Sequence, residues 1–417
     1  MTDFNEIRNK HFEKRCDLLR DMSKNRSILS YLNCVLLDGD TDKTAEIKEI
    51  AEKGKIAYRT YNAAESIRNK SRMRIVYLLP HSGIMGGTKI LVEQSNRLAG
   101  QGHEVAMYSH WPKPEWIRCG IPYFTVHPEN NLSDVIPAAD VVIAGYWDMV
   151  VDALRINAPL KYHFAQGDMD IFQYDSMGAG LKEAISTAYT LPVKILTVSR
   201  LMQQKIDMLF GRKSVLIPNA LDKSIFHTGP RKPEEKEETV ILLVGSDSQA
   251  FKGHEMIDRA LFALKEMGYK LDIRWLTPVK LCKDYSRLSV KEIIAPPQAQ
   301  IGNIYRESDI LVSGSYFEAF SLPPLEAMTC GCAVAASDNG GIREYAADGY
   351  NCLLFEPGNV SQLVEKLSLL IDNVWLRERL REGGIATGRK FSWKRSVKIL
   401  ESELTRSARY TGQVRPV

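Results

Sequence analysis

Residues 309–337 read DILVSGSYFEAFSLPPLEAMTCGCAVAAS, and this stretch places a helix-like run between two strand-like runs. The apolar runs DILV and AVAA are typical of strands buried on both faces of a parallel sheet. The run PPLEAMTC is typical of a helix, because proline suits the first helical turn, whose N–H groups have no intrahelical acceptor. The order strand, helix, strand predicts part of a doubly wound α/β sheet.

The same alternation continues along the chain in both directions. A first series of apolar runs begins at Arg74 and comprises RIVYLL, EVAMY, DVVIA, KYHFA, KILTV and SVLI. A second series comprises TVILLV, LDIRWL, DILV, AVAA and CLLF, and the polar, proline-containing segment FHTGPRKPEEKEE separates the two series. The predicted fold class is therefore α/β, with two doubly wound parallel-sheet domains at residues 73–222 and 223–391.

Helical patterns flank these two domains. Residues 392–417 are predicted to form a final helix that crosses back to the first domain. Residues 1–72 are predicted to form a helical extension, which could pack on the body, form a homodimer contact or touch an anionic membrane surface. Both predictions rest on apolar residues at helical spacing: Phe4, Ile7, Phe12, Cys16, Leu19, Ile47, Ile50 and Ala51 in the extension, and Val397, Leu400 and Leu404 in the final helix.

The composition is that of a soluble globular protein: 417 residues, of which 44% are hydrophobic and 25% charged. A formal net charge of +4 gives little support to a nucleic-acid partner, and none is expected. The N-terminus lacks the apolar core of a signal peptide, and no apolar run reaches the roughly eighteen residues of a membrane span. The seven scattered cysteines are predicted to be free thiols, so we expect a cytoplasmic protein.

The loop SGSYFEAFSL follows the strand DILV, at the carboxyl end of a predicted parallel strand, where open α/β sheets bind their ligands. Pro323 and Pro324 have no N–H to donate, which leaves the backbone amides of Phe320, Ser321 and Leu322 to face an anion. The loop is therefore a candidate phosphate site.

Glu318 and Glu326 lie on either side of these amides. Acidic residues near a helix start are also favoured by the helix dipole, so ordinary helix-end chemistry is one interpretation. A bare carboxylate beside a diphosphate would be repelled. If the loop binds a phosphorylated sugar, both acids are therefore better suited to accept hydrogen bonds from hydroxyl groups.

A second candidate is the glycine-bearing loop HSGIMGGT, which follows a strand ending at Leu79 and precedes a helix. Its pattern of Gly83, Gly86 and Gly87 differs from the G-x-G-x-x-G of dinucleotide-binding enzymes. Glycine would let a phosphate or sugar approach the main chain, and a tight strand-to-helix turn would need it equally.

The segment E-A-F-S-L-P-P-L-E-A-M resembles E-G-F-G-L-P-P-L-E-A-M of the family 4 retaining glycosyltransferases, and the run as far as FEPGN is similar to the donor-binding half of that family. The resemblance extends more loosely from Arg74 to about Leu404. It implies the GT-B fold, in which two Rossmann-like domains face a cleft. It also implies transfer of a sugar from a nucleotide-diphosphate sugar to an acceptor hydroxyl with retention.

Functional residues follow from that resemblance position by position. Glu318 would contact hydroxyls of the transferred sugar, and Glu326 the ribose. Lys252, in SQAFKGHE, would neutralise the diphosphate, although a solvated helix-start lysine is the alternative. The other matching positions are Phe320, Ser321 and Leu322 as diphosphate-binding amides, Gly86 and Gly87 as the glycine loop, and Asn219 near the hinge.

The chain departs from the family pattern at several positions. Ser246 stands where the family usually has an arginine, so another cation is expected to replace it, with Arg200, Lys89 and Arg343 as candidates. Gln166 stands where many members have a histidine near the sugar. His163, three residues earlier, is either a second sugar-side residue or a packing residue. Ser321 replaces a glycine, and its hydroxyl could cap the helix or touch phosphate.

The acidic pair Asp168 and Asp170 forms a D-x-D pattern, which binds a divalent metal in another glycosyltransferase fold. Such patterns are frequent, and Asp38 to Asp40 forms another one. The architecture of two α/β series argues against metal dependence, so no metal is expected, and no cofactor is expected beside the nucleotide-diphosphate sugar as donor substrate. Asp168 is retained as a sugar-side candidate.

The predicted function is a retaining, metal-independent glycosyltransferase whose partners are a nucleotide sugar and a carbohydrate or glycolipid acceptor. The family resemblance favours a role in bacterial glycan or surface-polysaccharide synthesis. If the protein contacts a membrane peripherally, we expect the contact at the inner membrane face. Two alternatives stay open: a catalytically silent partner subunit that binds sugar nucleotides, and another GT-B enzyme such as an epimerase.

Overall fold

The computed structural model describes residues 4–24, 71–167, 169–229 and 237–411. The chain divides into two compact units. Residues 1–218 and 394–417 form the first unit, and residues 219–393 form the second. Each unit is built around its own parallel sheet, as the two series of apolar runs predict.

The sheet of the first unit has seven strands in the order β3-β2-β1-β4-β5-β6-β7, and each neighbouring pair is parallel. Its central strand β4 has the sequence VVIA and is buried at all four positions, as expected for a sheet covered on both faces. The strands are β1 (Arg74–Leu78), β2 (Glu104–Ser109), β3 (Tyr123–Thr125), β4 (Val141–Ala144), β5 (Leu160–Ala165), β6 (Lys194–Thr197) and β7 (Ser214–Leu216).

In the described residues, seven helices of the first unit precede the second unit in the sequence. They are α1 (Phe4–Lys24), α2 (Gly86–Gly100), α3 (Leu132–Val135), α4 (Val150–Arg155), α5 (Met169–Phe172), α6 (Ala179–Thr190) and α7 (Arg200–Phe210). Helix α7 begins at an N-cap, Ser199, whose hydroxyl accepts the Met202 N–H, and ends at Gly211 in the left-handed conformation. Short 3₁₀ turns occupy Trp147–Met149 and Tyr174–Ser176.

The sheet of the second unit has six parallel strands in the order β10-β9-β8-β11-β12-β13. They are β8 (Thr239–Val244), β9 (Leu271–Thr277), β10 (Lys291–Ile294), β11 (Ile310–Ser313), β12 (Ala333–Ser337) and β13 (Leu353–Phe355). The helices are α8 (His254–Glu266), α9 (Gln298–Arg306), α10 (Leu322–Cys330), α11 (Val360–Asp372) and α12 (Val374–Gly388), with 3₁₀ turns at Ala250–Lys252, Ser286–Leu288 and Gly341–Glu344.

The last helix, α13 (Trp393–Thr411), packs in the first unit from residue 394 onward. Val397, Leu400 and Leu404 are buried on one face, in agreement with their helical spacing. Lys194, on β6, donates from its Nζ to Ser407 Oγ of this helix at 2.5 Å.

Helix α1 also packs on the first unit, where it lies against α6. Cys16, Leu19 and Met22 are buried on one face. Packing on the body is therefore what the structure shows for this part of the extension. The predicted helical residues Ile47, Ile50 and Ala51 lie outside the described residues.

A buried charge cluster fixes α1 in place. Arg15 Nη1 lies 2.9 Å from Asp148 Oδ2, and Arg15 Nη2 lies 2.6 Å from Asp152 Oδ2. Burial raises the pKa of the Asp148 carboxyl, and the attraction of Arg15 opposes that rise. Two buried carboxylates thus share one guanidinium, so the cluster depends on Arg15.

Two further features concern membrane spans and cysteines in the described residues. In the residues that the structure describes, no helix is both long enough and apolar enough to cross a membrane. The cysteines among these residues, namely Cys16, Cys119, Cys282, Cys330, Cys332 and Cys352, are all free thiols.

Replacing Arg15 by leucine should lower the free energy of unfolding by roughly 3–5 kcal/mol, because it leaves two buried carboxylates without their cation. Denaturant titration of the full chain measures this change. Lys24→Ala is the matched control, since Lys24 pairs with Asp21 on the exposed end of the same helix. It should change the stability by less than about 0.5 kcal/mol, and equal effects of the two variants would contradict the assignment.

Candidate functional site

The turn that carries Lys252 lies against the loop that follows β11. Gly253 adopts a left-handed conformation, with φ of 66°, and forms the start of α8. A Cβ atom at Gly253 would lie 2.2 Å from the Gly314 carbonyl oxygen, so only glycine allows this close approach. A second contact joins the same segments, because the Tyr316 N–H donates to the Phe251 carbonyl at 2.8 Å.

This approach brings Lys252 and Glu318 together. Lys252 Nζ lies 2.5 Å from Glu318 Oε1, and Ser315 Oγ donates to the same oxygen at 3.0 Å. The side chains of Lys252 and Glu318 are 19% and 17% exposed, so the pair is accessible yet shielded from bulk water. Two residues that the sequence analysis assigned to the donor thus form one ion pair.

The start of α10 has an unusual backbone. Ser321, its N-cap, has φ of 66° and ψ of 80°, which is the left-handed region that favours glycine. Its hydroxyl does not cap the helix, so that alternative is wrong. The Ser321 Oγ is buried and has no hydrogen-bond partner among the described residues. The Tyr345 hydroxyl donates to the Ser321 carbonyl and holds this conformation.

The amides of this loop remain available for a ligand. Within the described part of the chain, the N–H groups of Phe320, Ser321 and Leu322 donate to no protein acceptor. Pro323 and Pro324 fill the rest of the first turn of α10 and cannot donate. The helix start therefore presents an anion-binding surface of unpaired main-chain donors.

Aromatic packing fixes the loop from behind. The Phe320 ring lies 5.3 Å from the Tyr345 ring and 5.8 Å from the Phe391 ring, centroid to centroid. The Phe320 side chain itself is buried, so its contribution to a site is its backbone amide.

Glu326 differs from Glu318 in its surroundings. It lies inside α10 and is 7% exposed. The Tyr305 hydroxyl, from α9, donates to Glu326 Oε2 at 2.8 Å. This donor is a neutral phenol, whereas the Lys252 donor to Glu318 is a cation.

Ser246 lies in the turn after β8 and carries no charge of its own. Its Oγ lies 2.8 Å from Ser248 Oγ. Of the candidate cations, Arg343 forms a two-point pair with Asp338, at 2.8 and 2.6 Å. Lys89 and Arg200 belong to the first unit. Lys252 is thus the cation of the second unit that the sequence analysis proposed for the diphosphate. Asn219, the residue expected near the hinge, is buried.

The glycine loop and Gln166 meet in the first unit. Helix α2 begins at Gly86, and Gln166 Nε2, just after β5, donates to the Gly87 carbonyl at 3.2 Å. A Cβ atom at Gly87 would lie 3.4 Å from Gln166 Nε2, so Gly87 and the end of the Gln166 side chain are close neighbours. The structure thus brings these predicted residues together at the carboxyl edge of the sheet.

His163 lies elsewhere, in the middle of β5. It is fully buried, its ring centroid lies 5.0 Å from that of Tyr189, and burial lowers its pKa to about 3. These features fit the packing interpretation. Asp168 is outside the described residues, and Asp170 Oδ2 accepts hydrogen bonds from Tyr146 Oη and Trp147 Nε1, each at 2.7 Å.

No group of three or more metal-ligating side chains occurs in the described ranges. The second carboxylate of the D-x-D pattern has a structural role there, because two aromatic donors already engage it.

Residues 288–387 match the family model described as glycosyl transferases group 1. This segment is similar to the glycosyl transferases group 1 family. It contains Glu318, Ser321 and Glu326, together with the Tyr305 hydroxyl that contacts Glu326. Lys252 lies outside the matched segment. It lies close to that segment because the next residue, Gly253, packs against the Gly314 carbonyl.

Solved structures share the fold over most of the chain. A glycosyltransferase from Rickettsia africae aligns with a TM-score of 0.63 and 17% identity, covering 81% of this chain and 99% of that one. HepE from Anabaena, in complex with UDP-glucose, aligns with a TM-score of 0.64 and 17% identity, covering 80% and 99%. The prediction of a GT-B fold with two Rossmann-like domains is confirmed.

Curated relatives match parts of the chain. An uncharacterized glycosyltransferase of Methanocaldococcus jannaschii is 29% identical over 49% of this chain and 57% of its own length. The O-antigen biosynthesis protein RfbC of Myxococcus xanthus is 26% identical, over 63% and 20%. A D-inositol 3-phosphate glycosyltransferase of Corynebacterium jeikeium is 27% identical, over 44% and 39%. The chain thus spans between about a fifth and three fifths of these relatives.

Within the group 1 segment, sequence reasoning missed two supporting side chains. Ser315 stands three residues before Glu318, a spacing that offered a detectable signal. Tyr305 is 21 residues from Glu326 and is joined to it only through the packing of α9 on α10, which no local pattern reveals.

Ser321→Gly should raise the free energy of unfolding of the second unit by about 1 kcal/mol, because glycine adopts the left-handed conformation without strain. Denaturant titration checks this change. The same substitution at Ser368, inside α11, should lower the stability by about 0.5 kcal/mol, because glycine weakens a helix interior. A loss of stability in Ser321→Gly would show that the serine side chain stabilises the loop.

Proposed function

We propose that the protein is a glycosyltransferase that moves a sugar from a nucleotide-diphosphate sugar to an acceptor hydroxyl. The observation that carries this proposal is the Lys252–Glu318 ion pair beside the unpaired amides of residues 320–322. A cation and main-chain donors suit a diphosphate, and a neighbouring carboxylate suits the hydroxyls of the attached sugar.

The ion pair also explains how one carboxylate can lie beside a diphosphate. In the free protein, Lys252 balances the charge of Glu318. When the donor binds, the diphosphate takes the lysine as its counter-ion, and Glu318 turns to a sugar hydroxyl. Negative charge develops on the diphosphate as the glycosidic bond breaks, and Lys252 with the amides stabilises that charge.

The finer parts of the proposal concern the stereochemistry. Retention follows if the acceptor oxygen attacks on the face from which the diphosphate leaves. The bond from the anomeric carbon to the phosphate oxygen breaks, the bond to the acceptor oxygen forms, and the departing phosphate takes the acceptor proton. No protein nucleophile or metal is required for this step, because Lys252 and the amides carry the charge.

The acceptor is proposed to be a carbohydrate or glycolipid in bacterial surface-polysaccharide synthesis, handled on the cytoplasmic side of the membrane. Support comes from the relative named as an O-antigen biosynthesis protein. In the first unit, Gln166 and Gly87 are proposed to contact the acceptor.

A silent partner subunit that binds sugar nucleotides is the second candidate. The uncharged Ser246 favours it, because one of the two diphosphate cations usual in the family is missing there.

A thermal-shift screen against UDP-, GDP-, ADP- and TDP-sugars identifies the donor, and hydrolysis and transfer assays follow. Binding without turnover on any acceptor would favour the silent subunit, and no binding would overturn both.

Glu318→Ala should abolish transfer while leaving the fold intact, because the acid is partly exposed and Lys252 can be solvated once unpaired. Product formation by mass spectrometry and the melting temperature measure these two effects. Glu255→Ala, which breaks an exposed pair with Arg259 in the same unit, is the control and should retain activity. Near-normal transfer by Glu318→Ala would refute the site.

Lys252→Met should lower kcat by about 10²–10³-fold, the usual cost of removing one donor to a developing anion. Steady-state kinetics with the identified donor measure the loss. Lys270→Met, at an exposed lysine of the same unit, serves as the control. A change confined to KM would mean that Lys252 binds the donor without stabilising the transition state.

A further inference from the structure

The contact between Tyr305 and Glu326 stands out among the buried polar contacts of the second unit. The phenol donates to Glu326 Oε2 at 2.8 Å, and the tyrosine side chain is fully buried. Burial and the neighbouring carboxylate raise the pKa of Tyr305 well above its usual value, so the phenol remains a hydrogen-bond donor at every physiological pH.

Helix α9 holds this phenol rigidly. The Phe226 ring lies edge-on to the Tyr305 ring, with centroids 6.0 Å apart. Arg306, the next residue, donates to the carbonyls of Ile225 and His227 at 3.2 and 3.1 Å. A Cβ atom at Gly302 would lie 2.0 Å from the Ile225 carbonyl oxygen, so α9 packs directly on this segment. The phenol oxygen therefore has one fixed position.

A fixed donor restricts the carboxylate that it contacts. Glutamate has three rotatable side-chain bonds and loses much of its rotamer freedom only when a partner holds it. The hydrogen bond defines the orientation of the Glu326 carboxyl plane, and with it the direction of the remaining lone pairs. A carboxylate of fixed orientation can discriminate a diol from its deoxy counterpart, because only the diol can donate hydrogen bonds along the directions that the carboxylate presents.

We propose that Tyr305 is a positioning residue that makes the site selective for ribose over dideoxyribose in the nucleoside diphosphate. It acts through Glu326 and does not itself touch the ligand. This inference rests on the proposed function, together with the contact between Glu326 and the ribose that the family resemblance of the sequence implies.

The test compares nucleoside diphosphates with and without the ribose hydroxyls. UDP, ADP and GDP, and the dideoxy counterpart of whichever binds, are titrated into the full-length protein by calorimetry. The wild type should bind the dideoxy compound roughly ten-fold more weakly or worse, and Tyr305→Phe should lose most of this ratio. With the sugar donor, the variant should raise KM by a similar factor and change kcat little, since the ribose does not react.

Tyr269→Phe is a matched control. Tyr269 is in the same unit, and its hydroxyl donates to Asp372 Oδ2 at 2.7 Å, so the substitution deletes the same kind of bond at an exposed position. It should leave the selectivity ratio at the wild-type value. A merely structural role for Tyr305 would lower the melting temperature and leave the ratio unchanged, and that result would overturn the proposal.

A double-mutant cycle tests separately whether Tyr305 acts through Glu326. Glu326→Gln removes the charge that Tyr305 contacts, so Tyr305→Phe should add little to the loss of selectivity in that background. Additive effects would overturn the proposal. A wild type that binds no nucleoside diphosphate would refute the proposed function, whereas binding with unchanged selectivity in Tyr305→Phe refutes only the role of Tyr305.

Discussion

The approach of Gly253 to the Gly314 carbonyl is the contact on which the candidate site depends. Strands β8 and β11 are neighbours in the sheet, and parallel neighbours end at the same edge. The turn after β8 and the loop after β11 therefore lie side by side, although 66 residues separate Lys252 from Glu318. A larger residue at position 253 would push the two segments apart, and the ion pair would be lost.

The site concentrates features that ordinary folding would avoid. Ser321 adopts a left-handed conformation with a buried hydroxyl that lacks a partner among the described residues, and the adjacent amides are likewise unpaired. Each such feature costs free energy, and the surrounding aromatic packing compensates for it. A ligand rich in acceptor oxygens would satisfy the amides, so the local defects are consistent with a binding surface that is formed before the ligand arrives.

The sequence predicted the fold because buried parallel strands leave a signature of continuous apolar runs. Glu318 and the α10 amides became candidates because proline and acidic residues occur at recognisable positions in one loop, and Lys252 became a candidate through the family resemblance of SQAFKGHE. Tyr305 could not, because its partner is set by the packing of α9 on α10 and helical periodicity says nothing about which helix a buried face meets. For His163 the sequence left both a sugar-side role and a packing role open, and its complete burial in β5 favours the packing role.

The two glutamates illustrate how surroundings divide the work between identical side chains. Glu318 has a cationic partner on a flexible stem in a partly exposed position, so it can exchange that partner when a ligand arrives. Glu326 accepts from a buried, neutral phenol on a packed helix, so we expect its orientation to change little on binding. An acid that changes partners suits the reacting end of a donor, where charge moves. An acid that keeps its partner suits the nucleoside end of the donor, which is recognised but does not react. The partial exposure of Glu318 and the burial of Glu326 agree with this division.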